Sequence, residues 1–350
     1  MAPLDWGLGH ATRCIPIIRG LVNAGFEVVL AAEGSQAALL QTEFPLLAIL
    51  PLEGYRVKYS KHPRWFAFSL LKQLPRLFTI IRKENLFLKQ LVTKNKFDLV
   101  ISDNRYGLYN ASVPCIFITH QLNIKAGFRW LEKCIQWINY RYINRFTACW
   151  VPDIQGEKAI AGELSNPAKL PAIPVYYIGL LSRFQPEQAE IIYDYCILLS
   201  GPEPQRTVLE NILISQIDSL KGKILLVRGK PGSKTINRLS DHVEVKNHLP
   251  GESLHKALSQ SRYIISRSGY TTVMELLTLQ KKAILIPTPG QTEQEYLAKK
   301  LLEQGYCFRI KQADLNLAEQ TNLAKEFDFK KTECKVFDPE TIVDLLKASV

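Results

Sequence analysis

The chain has 350 residues, 47% apolar and 22% charged, with a formal net charge of +11. That length suits two domains, and that composition suits a globular fold rather than a disordered or fibrous chain. No apolar run approaches the roughly 18 residues of a membrane-spanning helix, and the start, Met1 to Trp6, lacks the basic and apolar blocks of a secretion signal.

In chain order, Met1 to Leu4 leave room only for a very short strand, or for a truncated one, before the loop Asp5–Arg13. Residues 13–24 repeat apolar side chains at helical spacing up to Gly25, and Phe26–Ala32 reads as a strand. Ser35–Leu40 is helical and Leu46–Leu50 is a short strand. From Gly54 to Phe97 there are eleven Lys and Arg against Glu84 alone, almost the whole excess of positive charge. The basic residues alternate with Trp65, Phe66, Phe68, Phe78 and Phe87, and a helix there puts Leu70, Leu74, Leu77, Phe78, Ile81, Leu88 and Val92 on one face. Pro75 either kinks that helix or sets its start. Such a segment lies well on an anionic membrane surface over 56–92, or equally well on a core with its charges in water. Nucleic acid is not expected, because no binding motif accompanies the charge.

Phe97–Asp103 and Pro114–His120 are strands, residues 128–148 an aromatic-rich helix, and Ala148–Pro152 and Tyr176–Gly179 further strands. Short apolar runs separated by helices indicate a parallel sheet covered on both faces. After a stretch, 165–189, that holds four prolines, a linker falls near 180–192, and the alternation then restarts: strand 195–200, helix 206–217, strands 223–228 and 242–246, helix 254–259, strand 263–265, a helix ending near Lys282, strand 283–287 and helix 293–304. The expected architecture is α/β, two Rossmann-like doubly wound domains facing across a cleft, 1–182 and 183–350. The last helix, about 338–350, is free to pack back on the first domain. Seven scattered cysteines without CxxC pairs are expected as buried small hydrophobes in a reducing, cytoplasmic setting, and no His, Cys or carboxylate cluster has metal-ligand spacing.

Three loops carry the chemistry. Ser266-Arg267-Ser268-Gly269 lies between a strand and a helix N-terminus, where amides and the helix dipole favour a phosphate. Glu275, about two turns into that helix, is placed to accept bonds from a ribose diol. Ser200-Gly201-Pro202 forms a second anion nest, with Arg206 available to a phosphate. The third loop, Gly7-Leu8-Gly9-His10, brings His10 to the mouth of a helix as a candidate general base. His120 ends a strand and points to an acceptor side.

Ser-Arg-Ser-Gly-Tyr-Thr-Thr-Val-Met-Glu (266–275) resembles the R-S-G-A-x-T-V-x-E signature of GT-B glycosyltransferases of the family-28 type. That group includes the enzyme that adds N-acetylglucosamine to the lipid-linked peptidoglycan precursor. The resemblance implies that Ser268 and Gly269 face a donor diphosphate, that Glu275 holds the ribose, and that backbone near Leu249 reads a uracil. Thr292 to Ala298 is similar to the family's donor-sugar stretch D-x-Q-Q-x-x-N-A, with Gln294 on the second glutamine, Glu293 replacing the first and Leu297 the asparagine. Gly9 and His10 look like the end of the family's glycine loop, and His120-Gln121-Leu122-Asn123 is similar to its H-E-Q-N segment, which places His120 and Asn123 on the acceptor side. The family's acceptor loop is here Asn104-Arg105-Tyr106-Gly107, a departure that leaves acceptor specificity open.

The implied activity is transfer of a hexose or N-acetylhexosamine from a UDP-sugar co-substrate to a carbohydrate or lipid-linked hydroxyl, without a metal or other cofactor. Arg206 or Arg267, with the helix amides, would stabilise the leaving diphosphate. An epimerase or hydrolase of the same fold, or a non-catalytic nucleotide-sugar-binding subunit, remains open beside it. The expected location is cytoplasmic, peripheral on the inner face of the membrane if segment 56–92 docks there.

Overall fold

The computed structural model describes the chain apart from residues 57–65, 95–96, 126–128 and 231–238. The basic stretch just ahead of Phe66, including Trp65, therefore lies outside the described residues. The chain divides into two compact units, one running to Arg183 and taking in Cys334–Val350, the other holding Phe184–Glu333.

The first unit begins with β1 (Ala2–Pro3), α1 (Leu8–Asn23), β2 (Leu30–Ala32), α2 (Gly34–Glu43), β3 (Ile49–Pro51) and α3 (Phe66–Lys94). It continues with β4 (Val100–Asp103), β5 (Cys115–Ile118), α4 (Arg129–Ile143), β6 (Ala148–Val151) and β7 (Val175–Tyr177). Every residue of β5 and β6 is buried, as expected of parallel strands covered by helices on both faces. The parallel sheet has the order β1-β4-β5-β6-β7, and β2 pairs with β3 beside it. The Ala31 amide donates to the Met1 carbonyl at 2.9 Å, which ties that pair to the β1 side. The strand order therefore reverses between β1 and β4.

Helix α1 starts at Leu8, five residues before the position expected from its apolar spacing. Gly7, at φ +80°, turns the chain from β1 straight into it. Helix α3 runs through Pro75 rather than starting there. Burial of Ile80, Ile81 and Leu88 offsets the ladder bond that the proline removes. Glu84, the lone acid of the basic segment, is buried. It accepts from Arg105 Nε at 2.7 Å, the Tyr55 hydroxyl at 2.9 Å and the Gly107 amide at 3.0 Å.

The second unit consists of β8 (Tyr193–Leu198), α5 (Gln205–Gln216), β9 (Ile224–Val227), β10 (Val243–Lys246), α6 (Gly251–Ser259) and β11 (Ser261–Ser266). It ends with α7 (Tyr270–Thr278), β12 (Lys282–Leu285), α8 (Thr292–Glu303), β13 (Cys307–Arg309) and α9 (Leu317–Glu326). Its six parallel strands lie in the order β10-β9-β8-β11-β12-β13, the doubly wound arrangement, with the reversal between β8 and β11. One face of the sheet packs Ile197, Leu226, Ile265 and Ile284 against Leu209 and Leu213 of α5. β13 and α9 were not expected from the sequence. Asn316 caps α9 by accepting from the Glu319 amide.

The terminal segment belongs to the first unit. Val336 forms a parallel bridge with Leu180, and α10 (Ile342–Ser349) places Ser349 Oγ 2.8 Å from Nε1 of the fully buried Trp150. Two glycines make this closure possible. A Cβ on Gly179, at φ +84°, would sit 2.6 Å from the Lys335 carbonyl oxygen, and one on Gly20 would sit 2.7 Å from that of Pro339.

Candidate active site

In open α/β sheets a ligand sits outside the carboxyl ends of the strands, where the order reverses. Each unit has one such place, and the candidate residues gather there.

In the second unit Ser266 of β11 stands in register with Leu198 of β8, so the loops that follow the two strands start side by side. Gly201 is exposed at φ +103°, and Gly269 caps α7 from extended backbone at φ −67°. A Cβ on either glycine would meet nothing within 4 Å, so the backbone there borders open space. The first turn of α7 contains no acidic residue to compete with an anion. Glu275 follows on the same helix and is buried.

The arginines take a different part from the one read in sequence. Arg267, at 2% exposure, donates through Nη1 to the carbonyls of Ile286 and Pro287, both at 3.1 Å, and through Nη2 to that of Gln205 at 3.0 Å. One guanidinium thus ties the loops that follow β11 and β12 to the start of α5. Burial lowers its pKa to about 10. Arg206, 3% exposed, gives Nε to Glu203 at 2.7 Å and Nη1 and Nη2 to Glu210, each at 3.1 Å. Arg228 joins the same carboxylate at 2.5 Å and reaches Asn247 Oδ1 at 2.9 Å. Both arginines assigned from sequence to a diphosphate are buried and held by the protein's own acceptors. Their effect is to position the loops, while Arg228, through Asn247, holds the one that carries the half-buried Leu249.

Ser268 is also turned inward, donating to the Gln294 carbonyl at 2.9 Å. The Gln294 side chain accepts from the Thr288 amide at 2.9 Å and donates to Gln291 at 2.5 Å, shaping the loop after β12. Ser200 is half-buried beside Gly201.

In the first unit the reversal lies between β1 and β4, whose Pro3 and Asp103 are partners in the ladder. His10, in the first turn of α1 beside Gly9, places Nδ1 2.8 Å from Asp103 Oδ2; the His10 side chain is 13% exposed and that of Asp103 fully buried. Arg13, one turn further along α1, pairs with the same carboxylate through Nε at 3.1 Å and through Nη2, while its Nη1 lies 3.0 Å from His120 Nδ1. Burial opposes a charge on Asp103, but Arg13 and His10 outweigh it and hold the pKa at about 2. An ionised carboxylate only accepts, so His10 carries its proton on Nδ1 and keeps a lone pair on Nε2. Burial first, and Arg13 next, lower the His10 pKa below the usual imidazole value of 6.5 against the pull of Asp103. The result is a neutral imidazole, partly exposed, with its basic nitrogen set by a buried acid.

Asn104 follows Asp103 at φ +56°, a turn conformation that asparagine tolerates. Arg105, expected on the acceptor side, is instead fully buried: beyond Glu84 it donates to the carbonyls of Pro3 and Glu53. It is a structural ion pair and does not face an acceptor. Asn123 anchors its loop through its backbone N–H, which donates to the Leu164 carbonyl at 2.9 Å, and Asn139 of α4 holds the same loop by donating Nδ2 to the Gln121 carbonyl at 3.1 Å. Asp103 and Arg13 were missed in the sequence. The available signals were an acid at the carboxyl end of a buried strand and a cation one helical turn after His10.

Residues 223–335 match the glycosyltransferase family 28 C-terminal domain. Over 320 residues the chain is 22% identical to an uncharacterized glycosyltransferase of Methanosarcina acetivorans, covering 86% of this chain and 82% of that one. Over 331 residues it is 23% identical to the UDP-N-acetylglucosamine–N-acetylmuramyl-(pentapeptide) pyrophosphoryl-undecaprenol N-acetylglucosamine transferase of Clostridium tetani, covering 88% of this chain and 84% of that one. Among solved structures, MurG of Acinetobacter baumannii has the same fold, with a TM-score of 0.60 at 17% identity over 99% of this chain and 98% of that one. The resemblance carried by Ser266–Glu275 and the expected fold class are both borne out.

Proposed function

We propose that this chain, a glycosyltransferase of the family-28 type with the GT-B fold, moves a hexose or N-acetylhexosamine from a nucleoside-diphosphate donor, with UDP the expected nucleotide, to a hydroxyl of a carbohydrate or lipid-linked acceptor. The observation that carries this reading is the His10–Asp103 pair at 2.8 Å, at the strand-order reversal of the first unit. A base held neutral beside a buried carboxylate suits removal of a hydroxyl proton near neutral pH. The acceptor oxygen bonds to the anomeric carbon as the bond from that carbon to the diphosphate breaks, and the proton passes to His10 Nε2.

The negative charge that grows on the leaving diphosphate is stabilised at the N-terminus of α7, where the dipole and the backbone around Gly269 meet it. Ser200, Gly201 and the backbone near Leu249 complete the donor site in this reading, Glu275 accepts from the ribose, and Gln294 orders the loop around the donor sugar. The helix terminus would take the place that a divalent ion fills in other transferases. Incubation with UDP-sugars and a membrane lipid extract in the presence of EDTA is therefore expected to release UDP only when acceptor is present. Acceptor-free product would mean an epimerase or hydrolase, and binding without turnover a non-catalytic subunit; either result rejects transfer.

A lipid-linked acceptor calls for a surface that meets the bilayer. Among the described residues no helix is long and apolar enough to cross a membrane. On α3, Arg76, Arg82, Lys83 and Lys89 are exposed together with Phe78 and Leu86, and α4 exposes Trp130 at 68% and Trp137 at 64%. Phe78 stacks on Tyr142 of α4 with ring centroids 6.4 Å apart, so the two helices meet at this pair. Cations around aromatics that are half in water suit an anionic interface. Co-sedimentation with anionic vesicles should fall as salt rises and weaken in the Trp130→Ala, Trp137→Ala double variant. Binding indifferent to lipid charge and salt would count against peripheral attachment.

A further inference from the structure

Arg13 is 2% exposed, yet its guanidinium touches two groups of the first unit's site at once, the Asp103 carboxylate and His120 Nδ1, the latter at 3.0 Å. A guanidinium has only donors. His120 Nδ1 must therefore accept, and the His120 proton sits on Nε2. His10 is locked the other way, with its proton on Nδ1 toward Asp103 and its lone pair on Nε2. One buried cation thus stands between two imidazoles held in opposite tautomers.

We propose that Arg13 is a positioning residue that sets this opposition, so that His10 keeps a basic Nε2 while the one lone pair of the His120 ring is engaged by Arg13, and the site has a single base. The inference rests on the reading of His10 as base for its kinetic consequences, but its tautomers are a property of the protein alone.

The charges that face His10 are Arg13 on α1, Asp103 at the end of β4 and His120 after β5, with Cys14 beside Asp103 at 3.8 Å. Burial pushes the Cys14 thiol well up, so it adds no charge near neutral pH. Arg13 lowers the His10 pKa and Asp103 raises it. Removing the cation takes away one of the influences that oppose the acid, burial remaining, and His10 then holds its proton to higher pH.

Two measurements test this. Long-range ¹⁵N–¹H correlation on the unaltered protein near neutral pH should show His10 protonated at Nδ1 and His120 at Nε2. A His120 proton on Nδ1, or both rings averaging between tautomers, overturns the proposal, and neither result depends on turnover. In kinetics, Arg13→Gln should move the acid limb of kcat/KM to higher pH, and Arg13→Lys should return it toward its original position. A loss of activity with the limb unmoved would reduce Arg13 to a packing role. If no sugar is ever transferred while the tautomers hold, the functional reading fails and the positioning geometry stands.

Discussion

Replacing His10 by glutamine should lower turnover by about 10²–10⁴-fold, the usual contribution of a positioned general base, while donor affinity stays unchanged. Glutamine keeps most of the volume and has no basic nitrogen. The wild-type pH profile carries a second part of the prediction. As a base His10 would act only when neutral, and its pKa lies below the ordinary imidazole value because burial and Arg13 outweigh Asp103. Activity should therefore persist on the acid side past pH 6.5 and fall only below it, and the variant should lose that limb. Asp103→Asn should cost turnover to a similar degree, since an amide can hold the imidazole in the wrong tautomer. It carries a stability cost as well, because Arg13 is left buried without its carboxylate, an effect of about 3–5 kcal/mol. The acid's own contribution follows from its pKa of about 2 in the fold against 3.8 ordinarily. It is fully present above 3.8 and lost as pH falls through 2. Unchanged turnover in His10→Gln would remove the base.

The alternation of short apolar runs with helices made the α/β class readable without a structure, because parallel strands buried on both faces leave continuous apolar segments, as Cys115–Ile118 and Ala148–Val151 do. The loop before α7 was readable for a local reason: strand, glycine and helix start lie within one short stretch. What escaped is non-local. His10 and Asp103 are 93 positions apart and meet only because β1 and β4 are neighbours in the sheet. The partner of Glu84 could not be seen for the same reason: in sequence it is one acid among eleven cations, in the fold it is the buried anchor of Arg105. Arg206 and Arg267 sit at or beside loops whose glycines suggested phosphate, and residue type alone does not tell an exposed cation from a buried one. β13 is three residues of mixed polarity, Cys307–Arg309, too short for periodicity to register.

Gly269→Val should abolish donor binding while leaving the fold intact, a combination that few substitutions at a helix start would give. Position 269 has φ −67° and ψ 139°, ordinary extended backbone for any residue, and an added Cβ meets nothing within 4 Å. The thermal midpoint should therefore hardly move. The space the side chain enters is the one where a diphosphate would approach the N-terminal amides of α7, and a branched side chain there prevents the approach. Glu275→Ala tests the other end of the same ligand. A hydrogen bond to a charged group contributes about 1.5–3 kcal/mol, so loss of the carboxylate should weaken nucleotide binding roughly 10- to 100-fold. Calorimetric titration with UDP reads both effects. If Gly269→Val binds as the unaltered protein does, the anion is not held at this helix start. If Glu275→Ala also binds as tightly, the second unit holds its nucleotide somewhere other than the reversal between β8 and β11.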